Sequence, residues 1–140
     1  MKALDLAKYI LKTSSVERSN LELQKTLYFV NLAYIKQTGE FLIDEDFEAW
    51  RFGPVVRSVY LEYRHYGANS IYRPEEDIKL GFENDTIKVI NDKIEYCAKK
   101  SYWDLVNESH KETGAWYLSY EEDKKNIINK ELIKQEALGM

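Results

Sequence analysis

From Leu21 to Ile35 the chain offers a helix almost no purely polar side. Leu21, Leu23, Leu27, Tyr28, Phe29, Val30, Leu32, Ala33, Tyr34 and Ile35 spread around successive turns. A helix that is apolar nearly all round has to be covered nearly all round. This segment is therefore the central helix of the fold, and the rest of the chain must supply its wrapping. Its ends are written locally: Ser19 or Asn20 caps the start with Glu22 in support, and Gly39 stops it where glycine serves best.

The wrapping is mostly helical. Ala3, Leu6, Ala7, Ile10 and Leu11 recur at helical spacing and predict a first helix over about residues 2–13. After the central helix, Phe47–Phe52 reads as a short extended segment. Gly53-Pro54 then opens a helix, with proline at the first position, and Val55, Val56, Val59, Tyr60 and Tyr63 carry it toward Gly67. Residues 68–83 read as loop, with a strand at Ile78–Phe82 that pairs with Phe47–Phe52. A lone pair of strands is marginal in water and must lie on helices. Asp85 caps a helix whose apolar face is Ile87, Ile90, Ile94 and Cys97. Ser101 with Asp104 opens the next, carrying Trp103, Val106 and His110; Ser119 with Glu122 opens another, and Asn129 starts a last stretch with Leu132, Ile133 and Leu138. The expected fold is mainly α, a compact single domain over residues 1–140. It has five or six helices in all, packed around the central one, with a small two- or three-stranded antiparallel β element.

Composition narrows the function. At 140 residues and 44 % hydrophobic content a real core can form within one domain. The 11 tyrosines in a 14 % aromatic chain suit both a core and an interface. A net charge of −4 gives no help to duplex binding, which draws its affinity from neutralised phosphates. Charge is unevenly spread, however. Arg51, Arg57, Arg64, His65 and Arg73 lie between two acidic stretches with only Glu62 opposing, which keeps nucleic acid as a lesser alternative. A single cysteine, Cys97, excludes an internal disulfide framework and multi-cysteine zinc patterns, and fits a reducing compartment. No run approaches the ~20 apolar residues that span a bilayer, and the N-terminus lacks a signal-peptide pattern. The expected localisation is cytoplasmic, with no membrane partner.

Catalytic chemistry finds little to work with. There are two histidines, His65 and His110, and no G-x-S-x-G turn, Walker loop or G-x-G-x-x-G fingerprint. Cys97 falls on an apolar helix face and reads as structural. No metal set and no cofactor motif emerges, and the chain reads as a binding protein, not an enzyme. Two segments stand out. In Glu48-Ala49-Trp50-Arg51-Phe52-Gly53-Pro54-Val55-Val56, Trp50 and Phe52 are expected to pack on the central helix while Arg51 or Arg57 faces a partner. In Ser109-His110-Lys111-Glu112, followed by Ala115-Trp116, His110 at a helix C-terminus reads as a charged cap that Trp116 covers.

These segments, with Leu23-Gln24-Lys25-Thr26-Leu27-Tyr28-Phe29, resemble the Panacea domain family, the SocA-like antitoxin domain also seen in phage-associated GepA-type proteins. The family carries an L-x-K-L-L-Y helix, an E-A-W-x-x-G-P-V-V segment and a T-H-x-E-x-x-W-like element. Here the first departs at Thr26 and the third at Ser109, while Glu48, Ala49, Trp50, Gly53, Pro54 and Val55 keep the second. Leu23, Lys25, Leu27, Tyr28, His110 and Trp116 complete the matching positions, and the likeness runs from about residue 4 to 135. The resemblance implies an α-rich scaffold that neutralises a toxin made from an adjacent gene, by direct binding or by delivering it to a bacterial protease. Prophage members have no assigned role. The motif residues are expected mainly to hold the fold. Arg51, Arg57, Tyr60, Arg64 and His110 are the residues expected to meet a protein partner, being of types favoured at interface hot spots. Oligomeric state is left open.

Overall fold

The structure is a computed structural model that describes residues 1–140. It contains seven α-helices, a 3-10 turn and a three-stranded antiparallel sheet. The central helix, α2 (Asn20–Thr38), starts at a complete capping box of Ser19 and Glu22 and ends at Gly39, whose φ of 76° suits glycine. Fourteen of its 19 residues are buried. Around it pack α1 (Ala3–Thr13), α3 (Arg57–Glu62), α4 (Asn84–Ala98), α5 (Tyr102–Ser109) and α7 (Lys130–Leu138).

The apolar turns of α2 also carry five buried polar side chains, and four of them are anchored. Asn20 donates to the Tyr60 carbonyl (3.0 Å), and Gln24 donates to Asn20 (3.1 Å) while accepting from the Val56 amide (2.9 Å). Thr26 donates to the Glu22 carbonyl (2.9 Å). Asn31 donates to the Leu27 carbonyl (2.8 Å) and accepts from the Ile43 amide (3.3 Å). A buried polar group so paired costs little, and it fixes which loop lies against which turn. The fifth is Lys25, which has no partner.

The sheet differs from expectation. β1 (Glu48–Trp50) turns back through a two-residue loop, Arg51–Phe52, into β2 (Gly53–Val55), so Gly53-Pro54 belongs to a strand and α3 begins only at Arg57. Gly53 has φ 123°, which is not helical, and Pro54 lies on an edge strand, where a missing N–H is tolerated. The other neighbour of β1 is β3 (Asn126–Ile127), giving the order β2-β1-β3.

Ile78–Phe82 is not a strand. Ile78, Leu80 and Phe82 are half-buried with exposed residues between them, so the alternation is real, but it lays side chains on the core without a pairing partner. Ser119 closes α6 (Ala115–Ser119) where a helix start was expected. The chain then turns at Asp123 (φ 62°) toward β3. Asp85 lies in the first turn of α4, whose N-cap position is Glu83. Ser101 and Asn129 do cap α5 and α7. Trp103 and Leu138 are exposed and lie outside the apolar faces expected of them.

Candidate partner-binding face

The hairpin is held from three directions. Glu48 accepts from the Trp50 indole (3.0 Å) and from both arms of Arg57 (2.9 and 2.8 Å). Burial opposes the charge on Glu48, but the hydrogen bonds from Arg57 and Trp50 hold its carboxyl below the ordinary range. The Trp50 ring meets Tyr60 edge-on at 4.8 Å, with Arg57 5.6 Å and Lys125 4.4 Å from its centre. Finally, the Trp116 indole N–H donates to the Trp50 carbonyl at 2.7 Å.

Trp116 is the middle of a stack. His110 lies flat on it at 3.6 Å and 3°, and Tyr120, one turn further along, stacks at 4.7 Å and 18°. The hairpin tip and the turn after α6 enclose a cleft of about 510 Å³, lined by Trp50, Arg51, Phe52, Tyr120 and the turn's charged residues through Lys125. Arg51 and Phe52 project into solvent at its rim, and Phe52 is 42 % exposed, not packed on the central helix as expected.

Beneath the tip the three motif segments converge. Gly53 is closely packed at a positive φ: a Cβ there would lie 2.6 Å from Lys25 Cε, 2.9 Å from Ser109 Oγ and 3.0 Å from Lys25 Nζ. Lys25 is wholly buried, and that burial lowers its pKa to about 7. His110 is shifted down as well, by burial and by Lys25, with the Phe52 backbone pulling the other way. The expected charged cap is therefore wrong: the histidine sits at a helix C-terminus, but its surroundings favour the neutral ring.

A second buried knot ties the motifs to α7. Glu136 Oε1 accepts from the Tyr28 hydroxyl (2.6 Å) and the Ala115 amide (2.9 Å), and Lys111 lies 3.8 Å from Oε2. Burial, then the Glu136 charge and its hydrogen bond, raise the Tyr28 pKa, so the phenol stays protonated.

The residues expected at a partner interface fall into separate places. Arg51, Arg57 and Tyr60 share the hairpin face. Arg64 lines a different groove with Ser19, Asn20 and Tyr102, and His110 lies half-buried behind the tip. The basic run does not form one surface, for Arg57 is engaged by Glu48 and Arg73 donates to the Lys12 carbonyl (2.7 Å). Of the matching motif positions, Leu23, Lys25, Leu27, Tyr28, Ala49, Gly53, Pro54, Val55 and Trp116 are buried, while Glu48 and Trp50 are half-buried. Phe52 (as a surface residue), Tyr120 and Lys125 were missed. Tyr120 had a signal in its i+4 spacing from Trp116; Lys125 had none. Cys97 is buried and free, its thiol pushed up to about 12 by burial, as its apolar position suggested. No helix is long and apolar enough to cross a membrane. No group of three or more His, Cys, Asp or Glu is placed to hold a metal ion.

A helical scaffold thus folds three motif segments together under an exposed aromatic and arginine-bearing hairpin. The sequence profile described as "Antitoxin SocA-like, Panacea domain" matches residues 23–117. Antitoxin SocA of Caulobacter vibrioides (strain NA1000 / CB15N) is 32 % identical over 108 residues, covering 70 % of this chain and 57 % of that protein. The chain belongs to the SocA-like antitoxin, or Panacea domain, family. It aligns with little more than half the length of that curated relative. No solved structure matches it.

Proposed function

We propose that this protein is the antitoxin of a toxin–antitoxin pair and that it grips its toxin through the hairpin face. The observation that carries this reading is the exposed tip, Arg51 and Phe52, mounted over buried motif residues from three segments. Burying such a tip in a partner fits the known preference of hot spots for aromatic and arginine side chains, here set beside a cleft that a partner's side chain can enter. Neutralisation by this grip needs no catalytic group. It serves equally for direct inhibition or for handing the toxin to a bacterial protease. Nucleic-acid binding through residues 51–73 has less support, because two of the cations proposed for it are engaged within the protein.

The test is co-expression with the protein encoded beside its gene. The expected result is growth rescue and co-purification, both lost in an Arg51→Ala/Phe52→Ala variant that still folds. A harmless neighbour that never associates with this chain would remove the reading. To separate the two modes of neutralisation, toxin lifetime is followed with and without the antitoxin: a shortened lifetime marks delivery, an unchanged one marks direct inhibition.

A further inference from the structure

Two basic nitrogens beneath the hairpin, Lys25 Nζ and His110 Nε2, are buried and lack any hydrogen-bond partner. They approach from different elements. Lys25 comes from the middle of α2 and touches the Cα side of Gly53; His110 follows the end of α5, directly after Ser109, whose Oγ reaches the same point. The Ser109 hydroxyl already donates to the Val106 carbonyl at 2.9 Å.

No carboxylate answers these nitrogens. On α2, Glu22 is engaged by Ser19 and Arg18, and Tyr28 donates to Glu136. Strand β2 brings only Gly53, Pro54 and Val55. From β1, Glu48 is engaged by Trp50 and Arg57. On α5, Glu108 accepts from Tyr96, and Asp104 lies exposed in the first turn. On α7, Glu136 Oε1 accepts from Tyr28 and Ala115, while its Oε2, buried and without a hydrogen bond, has Lys111 at 3.8 Å.

A buried ammonium without an acceptor is strongly unfavourable, so the closed packing requires neutral bases. When a proton arrives from solvent and bonds to the Lys25 lone pair, the new charge needs water. Helix α2 cannot supply access, being clamped by other helices on most sides. The hairpin can, because its two-residue loop is exposed and Gly53 lies directly against the end of the lysine side chain.

We infer that Lys25 and His110 form a proton-operated latch under the hairpin: with both neutral the tip is closed, and a proton taken up there loosens Trp50–Pro54. Burial lowers Lys25 to about 7, which places its step near neutrality, while His110 is lowered from its ordinary value. Its stacked neighbour Trp116, bonded to the Trp50 carbonyl, carries the change into the tip. The latch belongs to the chain alone. Its consequence, a weaker grip on the toxin below neutrality, rests on the function proposed above.

The experiment uses the full chain with isotope-labelled lysine. NMR follows the Lys25 side chain together with the Trp50 and Trp116 indole N–H signals as pH is changed. The expected result is a Lys25 midpoint at about 7, shared by both indoles. Lys25→Met should remove that indole transition. A Lys25 midpoint near the ordinary 10.5, or indoles that ignore a midpoint at 7, would overturn the latch, as would an indole transition that persists in Lys25→Met. If that variant does not fold, the two wild-type outcomes still decide. Toxin affinity above and below neutrality then tests the consequence, with a loss of roughly threefold expected from half a pH unit above the Lys25 midpoint to half a unit below it. Unchanged affinity with the NMR result intact would sink the hairpin as the grip and leave the latch standing.

Discussion

The two flanks of α2 are built by different rules. Toward α4 the contact is closed and chemically quiet: Ile90, Ile94 and Cys97 are at most 1 % exposed, and Cys97 keeps its proton well above neutrality. Toward the hairpin the contact contains a lysine, a serine and a histidine under a two-residue loop, and the lysine changes charge near neutrality. One flank fixes the body of the protein, while the other supports the exposed hairpin under a cost that packing must offset. A single helix thus serves as the spine of the scaffold and the floor beneath an exposed hairpin.

The largest expected effect lies on the quiet flank. Ile94→Ala leaves a cavity among fully buried side chains and should cost about 3–5 kcal/mol in denaturant unfolding, with the pH profile of stability unchanged. A cost below about 1 kcal/mol would mean that α4 is not firmly seated on α2. On the hairpin flank, Gly53→Ala forces an unfavourable φ and a contact with Lys25, and should cost about 2–3 kcal/mol. Unlike Ile94→Ala, it should also displace the Trp50 and Trp116 fluorescence in the folded protein.

The third prediction sets the flanks apart by pH. Lys25 has a native pKa of about 7 against an ordinary 10.5, so between those values the unfolded chain holds a proton that the native protein lacks. Unfolding then takes up a proton, and stability rises with pH across that window, at about 1 kcal/mol per pH unit. Above 10.5 the gain is complete, and below 7 the native protein is protonated too and the curve flattens. Urea titrations across this range check it. Lys25→Met should flatten the slope and raise stability at pH 7; an unchanged slope would place the titrating group elsewhere.

Much of this arrangement is legible in the sequence, and the gaps have physical reasons. The central helix announces itself through its all-round apolar pattern, the Ser19–Glu22 cap and Gly39. Gly53-Pro54 misleads because the same pair suits a helix start and an edge strand, and only the pairing with Ala49 and Trp50 decides. β3 is two residues long and leaves no periodicity to find. A lysine in a helix usually faces water, so the burial of Lys25 is hidden, although Tyr28 and Phe29 at i+3 and i+4 mark its side of the helix as buried. The family motifs located the residues that meet under the hairpin, yet the cleft's other wall, at Tyr120 and Lys125, comes from the turn after α6, which no motif predicts.

If the chain is an antitoxin as proposed, the hairpin tip is the surface that holds its toxin. Calorimetric titration of the protein encoded by the adjacent gene into three folded chains measures this directly: wild type, Arg51→Ala/Phe52→Ala at the tip, and Lys88→Ala/Asp92→Ala on the exposed side of α4. The tip variant is predicted to lose roughly 100-fold or more in affinity, with the α4 variant within about threefold of wild type. A tip variant that binds like wild type while the α4 variant fails would place the grip on the opposite flank and contradict the account.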